Sequence, residues 1–139
     1  MTVNITIVRP EDRDREFLAD IAPFFLRQDV RKALPYLKDV PEKVWLFARE
    51  GGQVVGIAGI IPHKNGVAEL CSLFVEPSHR GRNISENLVA RRLALVEGAR
   101  VIRVVCSPAS LPFYTVRGMK AVAKRGSYTV MERKAGKAA

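Results

Sequence analysis

The sequence predicts an α/β (α+β) fold: a mixed, mainly antiparallel sheet with a central βαβ unit and flanking helices. Three observations carry that expectation. Five short segments, "TVNITIVR", "KVWLFARE", "QVVGIAGIIP", "VAELCSLFV" and "VIRVVC", are alternating or apolar and read as strands. The second, third and fourth follow one another with only turn residues between them, which predicts antiparallel neighbours. The fourth is joined to the fifth through a basic turn and a helical segment, which predicts a βαβ unit with a right-handed crossover.

Taken in chain order, "TVNITIVR" alternates and is rich in β-branched residues. "PEDRDREFLADIAPFFLRQDV" follows as a helix, with Pro10 at its start and acidic residues in the first turn, where the helix dipole favours them. Gly51-Gly52 is a hairpin signal, and "HKNG" turns the chain into "VAELCSLFV". Trp45 is expected in the core. From Ile84 to Glu97 the apolar Ile84, Leu88, Val89, Leu93, Leu95 and Val96 form an arc opposite Glu86, Asn87 and Glu97, as in a helix packed on a sheet and ended by Gly98. Val101 to Cys106 is apolar on nearly both faces, which suits an interior, parallel strand.

A chain of 139 residues that is 47% hydrophobic has core enough for one domain and too little for two. The ending "KAGKAA" reads as disordered, which sets the domain at residues 1–134 and a short basic tail at 135–139. No apolar run approaches a membrane span, and Met1 to Pro10 lacks the pattern of a signal peptide, so a soluble, cytoplasmic protein is expected. Cys71 and Cys106 have neither paired nor metal-ligand spacing; they are expected to be buried free thiols, with no metal site. The net charge of +9 implies an anionic partner: a nucleic acid, a membrane surface or a phosphorylated small molecule. Arg91, Arg92, Arg100, Arg103, Lys124 and Arg125 keep a nucleic-acid module open, while an aromatic content of 7% and the lack of any RNA or DNA motif disfavour it.

The sharpest local signal is "EPSHRGRNISENLV", Glu76 to Val89. In a βαβ unit this basic turn lies at the C-terminal end of a strand and the N-terminus of a helix, where backbone N–H groups and the helix dipole converge on an anion. The plainer alternative is a solvated charged turn.

"LFVEPSHRGRNISENLV" resembles the strand, Pro, [Arg/Gln]-x-x-Gly-x-[Gly/Ala], Leu pattern of the GCN5-related N-acetyltransferases, the GNAT family. "GQVVGIAGI" is similar to the family's second hairpin, and "FYTVRGM" to its Phe-Tyr-x-x-x-Gly-Phe segment before an antiparallel pair ending in "YTVMERK". The likeness runs from about Thr6 to Arg133. It implies acetyl transfer from acetyl-CoA, a cosubstrate, to a primary amine on a small molecule or a protein, by a monomer or homodimer without a membrane partner. By position it implies that Leu73, Phe74 and Val75 pair with the pantetheine arm. Arg80, Gly81, Arg82, Asn83, Ile84 and Ser85 would hold the pyrophosphate, and Ser107 falls where the family often has an Asn.

Tyr114 corresponds to the family's acid for the leaving thiolate. Glu69 corresponds to the base of its lysine-acetylating branch, and strand period puts it on one face with Cys71 and Leu73. Pro112 delays the helix that carries Tyr114 to about Ser110. His63 and His79 lie in turns, His79 as a surface neighbour of the phosphate loop. The loop departs from the pattern at Asn83, in place of Gly, and at Ser85, in place of Gly or Ala. Asn is the least costly substitute at a left-handed position, and Ser is small enough for close approach of a pyrophosphate. The same departures support a second reading, a protein with the fold but without catalysis.

Overall fold

The computed structural model describes residues 2–135. Strand β1 (Val3–Val8) leads into a 3-10 turn at Pro10–Asp12, not into the expected helix. Arg13 and Asp14 return to extended dihedrals, and Asp14 Oδ1 accepts the Phe17 N–H at 2.9 Å, capping α1 (Arg15–Leu26). Helix α1 buries Phe17, Ile21 and Phe24, one stripe at helical spacing. Arg27, with ψ 131°, then breaks the chain before α2 (Gln28–Ala33), so one expected helix is two.

Strands β2 (Val44–Glu50), β3 (Gln53–Pro62) and β4 (Val67–Val75) are successive antiparallel neighbours. Helix α3 (Ile84–Leu95), which stops short of Glu97, crosses to β5 (Val101–Cys106), parallel to β4. Helix α4 (Leu111–Thr115) begins after Ser110, as Pro112 requires, and β6 (Lys120–Arg125) and β7 (Tyr128–Lys134) complete the sheet. The order is β1-β2-β3-β4-β5-β7-β6. Lys134 ends β7, and the Ala135 N–H bonds to Arg100 O at 2.8 Å. Gly136 to Ala139 lie outside the described residues. Among the described residues no helix is long and apolar enough to cross a membrane.

The sheet separates two cores. Under α3 lie Leu46, Ala58, Leu70, Leu88, Val89 and Ile102; under α1 and α2 lie Phe17, Phe24, Val30, Trp45, Phe47 and Phe74. Trp45 is fully buried, as expected, and stacks near Phe47.

One irregularity organises β4. Gly59 pairs with Cys71 but Ile57 pairs with Phe74, so β4 carries an extra residue, and Ser72 sits in the left-handed region at φ 60°. Side-chain alternation reverses there. Ala68 and Leu70 face the α3 core before the bulge, whereas Leu73 and Val75 do so after it and Phe74 turns to the α1 side. Glu69 and Cys71 therefore share a face, but Leu73 is on the other one, against the expectation from strand period. Gly59 is notched beside this bulge: a Cβ there would lie 2.4 Å from Lys43 Cε and 3.2 Å from Cys71 Sγ.

A second tether pins the basic turn. Glu50, at the end of β2, accepts from His79 Nε2 at 3.0 Å and from the Arg82 guanidinium. Those two partners, Arg82 foremost, hold the Glu50 carboxyl down at about 2.

Gly59→Ala should destabilise the protein by about 1–3 kcal/mol in denaturant unfolding, because Lys43 is buried and cannot yield. An unchanged midpoint would show that Lys43 leaves its site freely. For Glu50 the folded state favours the carboxylate. Its contribution is present above the ordinary value of 4.5 and is lost as pH falls through about 2. Over that window the wild-type melting temperature should fall more steeply than that of Glu50→Gln; equal slopes would exclude the tether.

Candidate active site

Strands β4 and β5 pair from Val67 with Val101 to Leu70 with Val104 and then part. The bulge causes the parting, since an extra residue increases local twist and breaks the ladder. Beyond Leu70 the edge of β4 that faced β5 has no strand partner, although side chains already occupy the carbonyls of Cys71 and Val75. The opening is a cleft of about 350 Å³ whose walls include Leu73, Phe74, Val75, Arg80, Ser85, Ser107 and Tyr114. On the α2 side a pocket of about 450 Å³ is lined by Leu34, Tyr36, Glu69, Arg125 and Tyr128. Cys71, Ser72 and Tyr128 border both.

The basic turn closes one end of the cleft. Gly81 and Asn83 are left-handed, at φ 79° and 61°, so Asn83 takes the backbone conformation expected of it. The Asn83 carbonyl accepts from the Asn87 N–H at 3.0 Å, which starts α3. Among the described residues the N–H groups of Gly81 to Glu86 have no acceptor. Orphan donors at a helix start with two left-handed residues before it form an anion cradle. Arg80 donates Nε to Val75 O at 3.0 Å and lies 5.4 Å over the Phe74 ring, while Arg82 is turned to Glu50. Ile84 is buried in the core, so only its N–H is available to a ligand. Ser107 is on the cleft wall, its Oγ 3.4 Å from Ser110 Oγ.

Tyr114 is 1% exposed and borders the cleft. Its hydroxyl accepts a hydrogen bond from Arg92 Nη2. Burial raises the phenol above its ordinary value, and the Arg92 charge opposes that rise. Glu69 is half-buried in the second pocket, with Oε1 2.7 Å from His63 Nε2. The turn histidine His63 is thus joined to the candidate base. Cys106 is buried and free, 3.6 Å from Met131 Sδ, and burial raises its thiol. Cys71 is free but only half-buried, because the bulge opens its side of β4 to the clefts.

Two cations missed as site residues flank the bulge. From α3, Arg92 Nη1 donates to Cys71 O at 3.1 Å and Gly59 O at 3.3 Å. From the other face, Lys43 Nζ donates to Ser72 Oγ at 2.7 Å and Lys38 O at 2.6 Å. Both are fully buried, so Arg92 is no part of a surface charge patch. Arg103 is also engaged, with Glu132 at 2.7 Å.

A model of the acetyltransferase (GNAT) family matches residues 10–119. Among solved structures, an acyl-CoA N-acyltransferase from Pseudomonas aeruginosa is 17% identical with a TM-score of 0.78, over 95% of this chain and 99% of its own. Escherichia coli ElaA is 13% identical with a TM-score of 0.75, over 96% and 100%. The PaiA N-acetyltransferase of Thermoplasma acidophilum, solved in complex with coenzyme A, is 17% identical with a TM-score of 0.63, over 96% and 99%. No curated protein matches the sequence significantly. By the family match across most of its length, the chain belongs to the GNAT family of acetyltransferases.

Proposed function

We propose that this chain transfers an acetyl group from acetyl-CoA to a primary amine, of a small molecule or a protein. The observation that carries this reading is the run of N–H groups from Gly81 to Glu86 without acceptors among the described residues, at one end of a cleft that Tyr114 borders. The cradle fits a pyrophosphate, and the open edge of β4 fits the amides of a pantetheine arm. A structural neighbour solved with coenzyme A supports the same ligand.

In this reading Arg80 and the N–H groups from Gly81 to Ser85 bind phosphate, with Arg82 exchanging Glu50 for it. Leu73, Phe74 and Val75 hold the arm through backbone pairing, and the amide of Phe74 or Val75 faces the thioester oxygen, where negative charge develops. Ser107 bounds the arm from the other wall. Glu69 accepts the proton of the amine, directly or through one water, and Tyr114 protonates the departing sulfur. Free Cys71 and Cys106 suit a cytoplasmic setting.

Calorimetry with CoA and acetyl-CoA tests the reading. Both should release heat and raise the melting temperature, and both responses should weaken for the dephospho and adenosine fragments. If millimolar CoA gives neither response, the cradle is an ordinary surface turn. Glu69→Gln should reduce turnover at neutral pH by roughly a hundredfold, and the deficit should shrink as pH rises and the amine loses its proton unaided. Parallel pH and rate profiles for the two forms would remove Glu69 from the mechanism.

A further inference from the structure

Arg92 stands where a helix packed on a sheet normally carries an apolar side chain. It follows Leu88 by four residues and Val89 by three, on the buried face of α3. It is wholly buried, and among the described residues no carboxylate lies within salt-bridge distance of it. Its Nε has no acceptor. A buried guanidinium without a counter-charge is costly, and a Met or Leu of similar volume would pack here without that penalty. Two of its three contacts are neutral carbonyls, Gly59 O and Cys71 O. The third is the Tyr114 hydroxyl at the cleft.

We propose that Arg92 is the charge partner of Tyr114: it aims the phenol at the departing sulfur and stabilises the phenolate left when the proton goes. This rests on the acetyl-transfer reading. As the tetrahedral adduct collapses, the C–S bond breaks and its electron pair passes to sulfur. The Tyr114 O–H proton moves to that sulfur, giving the free thiol and a phenolate facing Arg92. Solvent protons then restore the phenol. Besides Arg92, the titratable groups that act most on Tyr114 are the thiols of Cys71 on β4 and Cys106 on β5, and Arg92 is the cation among these. The planar fork matters, because it bridges the bulge carbonyls and the phenol at once, which an ammonium on a flexible stem does less well. Arg92 is therefore a positioning residue acting through Tyr114.

The experiment compares Arg92→Met, Arg92→Gln and Arg92→Lys with wild type, each also on a Tyr114→Phe background. The phenol of Tyr114 is titrated by tyrosinate absorbance, as the difference between each form and its Tyr114→Phe counterpart; the chain has only 3 tyrosines. Arg92→Met should lower kcat by roughly ten- to a hundredfold with little change in KM for acetyl-CoA. It should move the phenol titration to higher pH, and it should add nothing to the loss caused by Tyr114→Phe. Arg92→Lys should recover much of both effects; Arg92→Gln, which donates hydrogen bonds without charge, should not.

If Arg92→Met does not fold, the Gln and Lys pair decides. An unmoved phenol titration in the uncharged variants, or a full additional loss on the Tyr114→Phe background, would overturn the proposal and leave Arg92 as a clamp on the bulge. If no form acetylates any amine, the acetyl-transfer reading fails, while the titration still decides whether Arg92 governs Tyr114.

Discussion

The extra residue in β4 at Cys71 and Ser72 is the constraint on which the rest of the molecule depends. Were the ladder regular, β4 and β5 would stay paired past Leu70 and no cleft would exist. The bulge parts the strands, frees one edge of β4 and reverses which side chains face which core. A left-handed Ser has no intrinsic reason to persist, since such backbone is strained for a residue with a Cβ. It persists because Arg92 grips the Cys71 carbonyl from one face and Lys43 grips the Ser72 hydroxyl from the other.

Both grips use buried cations, and the fold has to satisfy them. Lys43 is met by two oxygens and by the Trp45 ring, whose centroid is 3.8 Å from Nζ. Burial still lowers its pKa from the ordinary lysine value. The segment that carries Lys38 and Lys43 is itself held by Arg13, which donates to Asp39, to Val40 O at 2.9 Å and to Lys43 O at 3.0 Å. Asp39 also accepts from Trp45 Nε1 at 3.0 Å. Mechanical support for the bulge thus runs from the start of α1 through one loop, and Gly59 leaves the space in which the lysine stem lies.

Much of this was legible in the sequence, and the failures have particular causes. Strand period and turn residues found β1 to β5, the last antiparallel pair came only through the family resemblance, and the basic turn before an amphipathic run marked the start of α3 and its left-handed Asn83. Pro10 misled because Pro begins a 3-10 turn as readily as a helix, and Asp14, a capping residue, marked the true start. A two-residue period puts Leu73 on the wrong face because that period holds only until a bulge, and nothing in "LCSLF" announces one. Arg92 was readable: the helical spacing that selects Leu88, Val89 and Leu93 also selects it, but its charge suggested the surface. Lys43 was not readable, since its burial comes from a notch in β3 and a loop held by Arg13, both tertiary.

On the proposed reading, the two proton transfers are kept apart by the same bulge. Glu69 belongs to the face of the sheet covered by α1 and α2, and Tyr114 to the core under α3. Here the sheet stands between them, and their two cavities adjoin where β4 and β5 part, with Cys71, Ser72, Val105 and Tyr128 among the residues that border both. On the same reading the reacting carbon sits at that gap, with the amine arriving from the Glu69 side and the thiolate leaving toward Tyr114. Small side chains at Cys71 and Ser72 keep the gap open, and the buried cations behind them keep its edges fixed.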